Sequence, residues 1–336
     1  MASILRPTSA QITRRLIVLA SAVFAVVVAQ AQMLMGWGQT PAEFSADSDA
    51  TLKVAGYAFS IWGLIYVAIL AYAVRQALRQ TGESLLIHRF GWPSAVAFLG
   101  IGWWVVAAAF DWETATVVLI FGSLIALLLP LLHNADAIRA LGRTERDRWL
   151  VVWPLALLAG WLTVAGPLNL LTVVTGNGAL PAVLSPTVWA MLAVVIVALA
   201  ALGMTLRLRM LAYALPVAWG LLGAFVAEQE RNAPLAYVAL AAAVAVLVGA
   251  VILTFRLRPG VEQVRQHDGG LDRDASRLPG HHDEGQDEDH QADPSQAAHR
   301  PILREGERAT PSRRPGARRR ARAGGEADRG RSIPRC

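Results

Sequence analysis

The sequence is poor in the groups from which crosslinks and most active sites are built. Only one of the 336 residues is a cysteine, Cys336 at the last position, so a single chain has no disulfide framework and no thiolate metal site. Charged residues make up 17% of the chain, and between Leu16 and Phe255 they occur in short clusters separated by long apolar runs. The sequence has no Gly-rich phosphate loop and no H-E-x-x-H motif. These absences argue against nucleotide-hydrolysing and zinc-peptidase classes.

Apolar sequence is abundant. Hydrophobic residues make up 54% of the chain and the mean hydropathy is +0.41. A helix needs roughly 20 mostly apolar residues to cross about 30 Å of hydrocarbon. The segments of about this length are Leu16–Gly36, Val54–Val74, Trp92–Phe110, Thr116–Leu132, Leu150–Val174, Thr187–Leu206, Leu211–Ala227 and Leu235–Phe255. We therefore predict an all-α integral membrane protein with a bundle of about eight transmembrane helices.

The charges of the connections alternate along the chain. Arginine-rich connections, such as those with Arg75 and Arg79 or with Arg207 and Arg209, are separated by acidic or uncharged ones such as Asp111–Glu113. Cytoplasmic loops carry an excess of Lys and Arg, so this alternation predicts a multi-pass protein of the cell (inner) membrane with both termini in the cytoplasm. We interpret the net charge of +6 as a topology signal and expect no nucleic-acid partner.

The first apolar segment admits a second interpretation. Arg14 and Arg15, the apolar stretch after them and the small residues Ala29–Ala31 resemble a secretory signal peptide with its cleavage site. Cleavage would leave seven spans and an external N-terminus. We favour a retained span, because the apolar character continues through Met33–Met35.

Residues 259–336 differ in composition from the rest of the chain. They have no apolar period, many Pro, Gly and Ala residues, and blocks of opposite charge, so they bury too little apolar surface to offset the entropy of ordering. We predict a disordered cytoplasmic tail. Metal capture by His281, His282 and His290, or contact of the Arg313–Arg322 block with anionic lipid or nucleic acid, are alternatives without a fixed ligand spacing behind them.

The spans carry aromatic and amide chemistry rather than charge. No span has Asp, Glu, Lys, Arg or His near its centre, so the usual marker of a proton relay or coupled-ion site is missing, and we assign no catalytic and no metal-binding residue. Phe59, Trp62 and Tyr66 share one face of the second span, and Trp161 and Asn169 lie in the fifth. The Asn169 amide must face protein, water or a ligand.

Two interpretations of these residues remain open. The aromatic side chains could fill the space between helices while Asn169 bridges two of them, which residue type alone favours. They could instead form a pocket for a flat, apolar ligand with aromatic walls and few polar anchors.

At these residues the sequence resembles the TspO/MBR family, the tryptophan-rich sensory proteins related to the translocator protein. Gly56–Tyr66 matches the Gly, an aromatic, the Phe, the Trp and the Tyr of the family's second-helix pattern, P-P-G-W-x-F-G-P-V-W-x-x-L-Y. Trp161–Asn169 keeps the Trp-to-Asn spacing and the Leu-Asn pair of the fifth-helix pattern, W-x-S-F-A-x-x-L-N. The chain departs from the family at two places. It has Val54–Ala55 in place of Pro-Pro, and Gly100–Gly102 precede Trp103 where the family's third helix usually has an Asn before the Trp.

The resemblance covers about Leu16–Val174 and implies a fold and a ligand. We expect a cytoplasmic arm at 1–15, a TspO-like five-helix region at 16–176 and three additional helices at 177–258. The resemblance implies binding of porphyrins or other flat hydrophobic molecules, and we expect no required cofactor, with a porphyrin or haem-like molecule as the possible ligand. By motif match, the residues expected to line the pocket are Phe59, Trp62, Tyr66, Trp103, Trp161 and Asn169.

We therefore expect a non-enzymatic membrane protein that binds, carries or senses a porphyrin, a haem-like molecule or a lipid. Its expected partners are the lipid bilayer and this hydrophobic ligand, and a homodimer is a candidate assembly. Two alternatives remain. One is a small-solute permease or channel that uses all eight helices, with Asn169, Thr163 and Ser123 on its polar path. The other is a membrane-bound porphyrin-modifying enzyme.

Overall fold

The computed structural model describes residues 8–46, 51–78 and 84–255, and the regular structure of these residues is helical. The expected arm at 1–15 is described only from residue 8 onward. The tail at 259–336, with its His and Arg clusters, lies outside the described residues.

The eight predicted spans are confirmed as long apolar helices. The order of elements is α1 (Ser9–Met35), α2 (Pro41–Ala46), a 3-10 turn (Gly56–Ser60) that leads into α3 (Ile61–Ala77), α4 (Leu85–Ala109), α5 (Glu113–His133), α6 (Ala135–Ala140), a π-helical turn (Arg148–Val152) that leads into α7 (Trp153–Gly176), α8 (Pro186–Leu208), α9 (Leu211–Glu228) and α10 (Ala233–Phe255). All of these helices except the short α2 and α6 are long and apolar enough to cross a membrane. Helix α1 continues unbroken through Ala29–Ala31.

Several helix ends are fixed by local hydrogen bonds. The Thr8 hydroxyl accepts the backbone N–H of Gln11 at the start of α1, and the Gln11 side chain accepts the N–H of Thr8 in return. Ser84 and Ser185 cap α4 and α8 in the same way, through a hydroxyl that accepts a backbone N–H. Gly36 ends α1 in the left-handed conformation, at φ 64°, which glycine adopts without a Cβ penalty.

Helix α4 begins earlier than hydropathy suggests. The apolar run starts at Trp92, whereas the helix starts at Leu85 and includes His88 and Arg89. The Arg89 guanidinium donates to the side-chain oxygen of Asn134, the residue that follows α5. Polar residues are therefore accommodated in the first turns of α4 by contacts with the neighbouring helix end.

Five of the long helices form a closed ring. Helix α1 contacts α3 and α4, α4 contacts α5, α5 contacts α7, and α7 contacts α3. Helix α9 packs against α7, while α10 packs against α8 and α9. Because α7 has neighbours from both groups, most of its side chains are buried.

Small residues allow α7 and α9 to approach closely. A Cβ placed on Gly160 of α7 would collide with the backbone carbonyl of Tyr213 in α9. In the other direction, a Cβ on Gly220 of α9 would lie 2.8 Å from the side chain of Val164 in α7. Close backbone approach at small residues is a main source of helix association in membranes, where the hydrophobic effect between helices is absent.

The arginine-bearing helix ends meet at one end of the bundle. Arg75 at the end of α3 forms an ion pair of 3.0 Å with Asp147, and Arg14 of α1 lies 2.8 Å from the ring nitrogen of His88 in α4. The acidic and uncharged connections meet at the opposite end, where the buried Glu228 carboxylate accepts a backbone N–H from the segment that precedes α3. We call these the arginine end and the Glu228 end.

Candidate functional site

A narrow cavity lies inside the five-helix ring, towards the Glu228 end. Its walls come from the 3-10 turn and from α3, α4, α5 and α7, and α2 covers it. The residues that line it are Pro41, Phe44, Ser45, Phe59, Trp62, Trp104, Ile120, Trp161, Ala165, Leu168, Asn169 and Thr172. The unfilled volume is about 20 Å³, which is room for one water molecule.

Four of the six residues expected from the sequence line this cavity. Phe59, Trp62 and Trp161 form an aromatic cluster in which the ring of Trp161 meets the other two edge to face. The ring centroids are 6.1 Å apart for Phe59 and Trp161 and 6.2 Å apart for Trp62 and Trp161, each with an interplanar angle of 82°. This is a favoured geometry for aromatic pairs. Asn169 is the fourth.

The other two residues lie elsewhere. Tyr66 is buried and stacks on Trp62 at a centroid distance of 5.3 Å, so it supports a cavity wall without lining the cavity. The side chain of Trp103 is 50% exposed on the outer face of α4 and packs against Phe24 of α1 at 5.7 Å. Its neighbour Trp104 is the indole that reaches the cavity, because consecutive helix residues point about 100° apart.

The Asn169 amide joins three helices. Its Oδ1 accepts the indole N–H of Trp104 from α4 at 3.1 Å, and its Nδ2 donates to the hydroxyl of Thr116 from α5 at 2.9 Å. The bridging role that the packing interpretation gave to Asn169 is therefore present. An amide has two N–H donors and two acceptor lone pairs, so one donor and one lone pair are left over after these two bonds.

Two polar groups of the cavity have no hydrogen-bond partner among the described residues. They are the indole N–H of Trp161 and the hydroxyl of Ser45. Trp161 is 2% exposed and Ser45 is 8% exposed, so bulk water does not satisfy them. A buried donor without an acceptor costs about 1–3 kcal/mol, and such groups in a cavity are the expected anchors of a ligand or an ordered water.

Helix α2 covers the cavity and is fixed at its first turn by reciprocal hydrogen bonds. The backbone N–H of Thr40 donates to the Glu43 carboxylate at 2.7 Å, and the Thr40 hydroxyl accepts the N–H of Glu43 at 3.2 Å. Hydrogen bonds that the carboxylate accepts from Thr40, chiefly from its backbone N–H, hold the pKa of the Glu43 carboxyl below its usual value. Further along, Phe44 meets the ring of Trp104 edge to face at 6.3 Å, so α2 closes the cavity with an aromatic side chain.

The 3-10 turn that carries Phe59 is held by α9. The backbone N–H of Ala55 donates to the carbonyl of Gly223 at 3.0 Å, and the indole of Trp219 donates to the carbonyl of Ala58 at 2.9 Å. The acceptor, Gly223, and the donor, Trp219, both belong to α9, one of the three additional helices. These helices therefore position one wall of the cavity, which no pattern in the first five spans indicates.

The ring of five helices, its aromatic cavity and the bracing helices agree with a comparison against known families. The family model described as TSPO-like protein matches residues 14–252. The chain belongs to this family. The match runs from α1 into α10. In this TSPO-like protein it therefore includes α8, α9 and most of α10, the three additional helices that follow the five-helix region. Comparisons with curated proteins and with solved structures gave no match.

Sequence reasoning missed four polar or aromatic residues of the site, which are Phe44, Ser45, Trp104 and Thr172. Trp104 is one of two adjacent tryptophans, and the residues around them are uniformly apolar, so nothing in the sequence indicates which of the two faces inward. Phe44 and Ser45 lie in a connection outside the predicted spans. A signal for the connection did exist, since Thr40 followed three residues later by Glu43 has the form of a capping box and predicts a helix start there.

Proposed function

We propose that this TSPO-like protein binds a flat hydrophobic molecule, such as a porphyrin or a lipid, in the cavity beneath α2, and carries or senses it without altering it. The observation that supports the proposal best is the buried indole N–H of Trp161, which lacks an acceptor in a cavity with aromatic walls. The Ser45 hydroxyl on the opposite cover adds a second polar anchor. A flat ligand with a carboxylate or carbonyl edge would accept from both groups and stack between the rings.

The closed cavity is far smaller than such a ligand. Its volume of about 20 Å³ compares with roughly 300–1,000 Å³ for typical small-molecule sites. Entry therefore requires the cover to move away from the ring. Helix α2 is the element best suited to this movement, because it has only six residues and the hydrogen bonds of its capping box lie within its own first turn. We infer that ligand binding and displacement of α2 are coupled.

The distribution of charge supports a placement in the membrane. The arginine-bearing helix ends meet at one end of the bundle, as the pair of Arg75 and Asp147 illustrates. With the positive-inside rule, this supports an inner-membrane protein with both termini in the cytoplasm. The cavity and α2 then face the opposite side. The described residues contain no group of three or more His, Cys, Asp or Glu side chains placed to hold a metal.

Porphyrin titration of the purified full-length protein in detergent tests the proposal. Protoporphyrin IX is added and its absorbance is followed in the wild type, in Trp161→Phe, which keeps an aromatic ring but removes the N–H, and in Trp92→Phe. Trp92 is 53% exposed on α4 and does not line the cavity, so it controls for loss of an indole. A hydrogen bond worth about 0.5–1.5 kcal/mol predicts a rise in Kd of roughly 2- to 10-fold for Trp161→Phe alone.

The double variant Trp62→Ala, Trp161→Ala removes two walls of the cavity and should abolish saturable binding. Equal affinities of Trp161→Phe and Trp92→Phe, or no saturable binding by the wild type, would overturn the proposed site. Illumination of the complex separates binding from catalysis. Loss of the bound porphyrin chromophore with turnover would favour a porphyrin-modifying enzyme instead.

A further inference from the structure

A second and larger cavity lies outside the five-helix ring. It is a groove of about 500 Å³ bounded by α5, α7 and α8, with one residue from α9 at its base. Leu124, Leu128 and Leu132 form the α5 side, and Ile196 and Met204 form the α8 side. The groove therefore follows the seam between the ring and the additional helices, and its walls are apolar.

The polar atoms at the base of the groove are already paired. The Thr163 hydroxyl donates to the carbonyl of Ala159 at 2.9 Å and lies 2.6 Å from the hydroxyl of Tyr213. Because a hydroxyl has a single proton, the proton between these two hydroxyls comes from Tyr213. Neither side chain then has a free donor to offer. The groove favours an occupant that makes hydrophobic contacts along its length.

Charge is confined to the arginine end of the groove. Arg207 lines it in the last turn of α8, is exposed, and has no hydrogen bond or ion pair from its guanidinium among the described residues. Arg139 of α6 lies beside it and donates to the Arg207 carbonyl at 3.5 Å, but the Arg139 guanidinium is paired with Asp136. Arg207 is thus an available cation at the mouth of an apolar groove.

We infer that the groove between α5 and α8 holds one acyl chain of an anionic phospholipid, whose headgroup phosphate pairs with Arg207. The chain fits the apolar walls, and the available guanidinium gives the charge complementarity that selects a negative headgroup. The volume of about 500 Å³ falls in the range of sites for small molecules. This site is separate from the cavity beneath α2.

The structure offers a variant that fills the groove and a matched control. Gly203 lines the groove on α8, and a Cβ added there would meet nothing within 4 Å. Gly203→Phe should therefore place its ring in the groove without moving α8. Gly122 on α5 is equally open and exposed but does not line the groove. Gly122→Phe makes the same change on the outer surface.

The test is native mass spectrometry of the full-length protein released from vesicles of phosphatidylglycerol, phosphatidylcholine or an equal mixture. We expect the wild type and Gly122→Phe to retain one phosphatidylglycerol, with a preference of roughly fivefold over phosphatidylcholine, since one arginine near an anionic headgroup contributes about 1 kcal/mol. Gly203→Phe should retain neither lipid at this stoichiometry. Arg207→Gln should retain a lipid but lose the preference for the anionic headgroup.

Three results would overturn the inference. They are equal retention of the two lipids by the wild type, equal lipid retention by Gly203→Phe and Gly122→Phe, and a dimer mass that only Gly203→Phe abolishes, which would make the groove a contact between copies. If Gly203→Phe does not fold, the exposed Arg207→Gln variant decides the question through headgroup preference. Porphyrin binding should be unchanged in all of these variants, so failure here is distinct from failure of the proposed function.

Discussion

Replacement of Asn169 by leucine tests whether this amide holds the ring together. Asn169→Leu keeps a similar side-chain size while removing the acceptor for the Trp104 indole N–H and the donor to Thr116. The Thr116 hydroxyl keeps its own bond to the carbonyl of Glu113 at 2.6 Å, so losing the bond from Asn169 costs little at Thr116. Trp104 is 6% exposed, and its N–H is left buried without an acceptor. This unsatisfied donor makes the larger contribution to the loss of stability.

The expected magnitude follows from these two contributions. An unsatisfied buried donor costs about 1–3 kcal/mol, whereas hydrogen bonds between membrane helices average about 0.6 kcal/mol in measured cycles. We therefore expect Asn169→Leu to lower the free energy of unfolding by roughly 2 kcal/mol. For a domain of this size that corresponds to a fall in Tm of roughly 4–8 °C, measured by thermal unfolding in detergent.

A double-mutant cycle isolates the proposed bond. Trp104→Phe removes the donor, so its cost should shrink once Asn169 is already leucine, with a coupling energy of about 1 kcal/mol. Trp103→Phe is the control, because the neighbouring indole is half-exposed on the outer face of α4 and should add to Asn169→Leu without coupling. Additive effects of Asn169→Leu and Trp104→Phe, within about 0.3 kcal/mol, would refute the bridge.

Two further predictions concern helix packing and the cavity cover. Gly160→Ala puts a methyl group against a backbone carbonyl of α9 and should cost roughly 1–3 kcal/mol, while Gly122→Ala, in open space, should stabilise by up to about 1 kcal/mol through helix propensity; equal Tm values would contradict the close approach. The lowered pKa of Glu43 means that its contribution to α2 is complete at neutral pH and is lost as the pH falls through that lowered pKa. The protection of the α2 amides, measured as their exchange rate relative to the intrinsic rate at each pH, should therefore fall in acid in the wild type but not in Glu43→Gln. Identical pH profiles of protection would count against the capping box.

The membrane architecture could be predicted from the sequence because its physical causes are local. A span is fixed by the length of an apolar run, and its orientation by the charges at its two ends. The eight runs and their alternating connections therefore led to the observed helices, with boundary differences such as the start of α4 at Leu85. The paired motifs at Trp62 and Trp161 predicted membership in the family, and the match over residues 14–252 confirms it.

The site could be predicted only in part. The structure brings Phe59, Trp62 and Trp161 together. Phe59, however, lies in the 3-10 turn before α3, and Tyr66, expected on the same face, stacks behind Trp62. The choice between Trp103 and Trp104 could not be made, since the part of α4 from Trp92 onward has no charged side chain to mark an outer face. In water a polar face marks the outside of a helix, but lipid accepts the same side chains as a protein core, so hydropathy does not fix the rotation of a membrane helix about its axis.

The sequence by itself therefore determined that this protein is a helical membrane bundle, that eight of its described helices are long and apolar enough to cross a membrane, and which aromatic motifs relate it to its family. Only the tertiary structure decided which indole enters the cavity, that α2 covers it, and that α9 holds the turn bearing Phe59. It also placed a groove with Arg207 at its mouth between the ring and the added helices. These features arise from contacts between residues far apart in the chain, whereas the span pattern arises from each segment meeting the bilayer on its own.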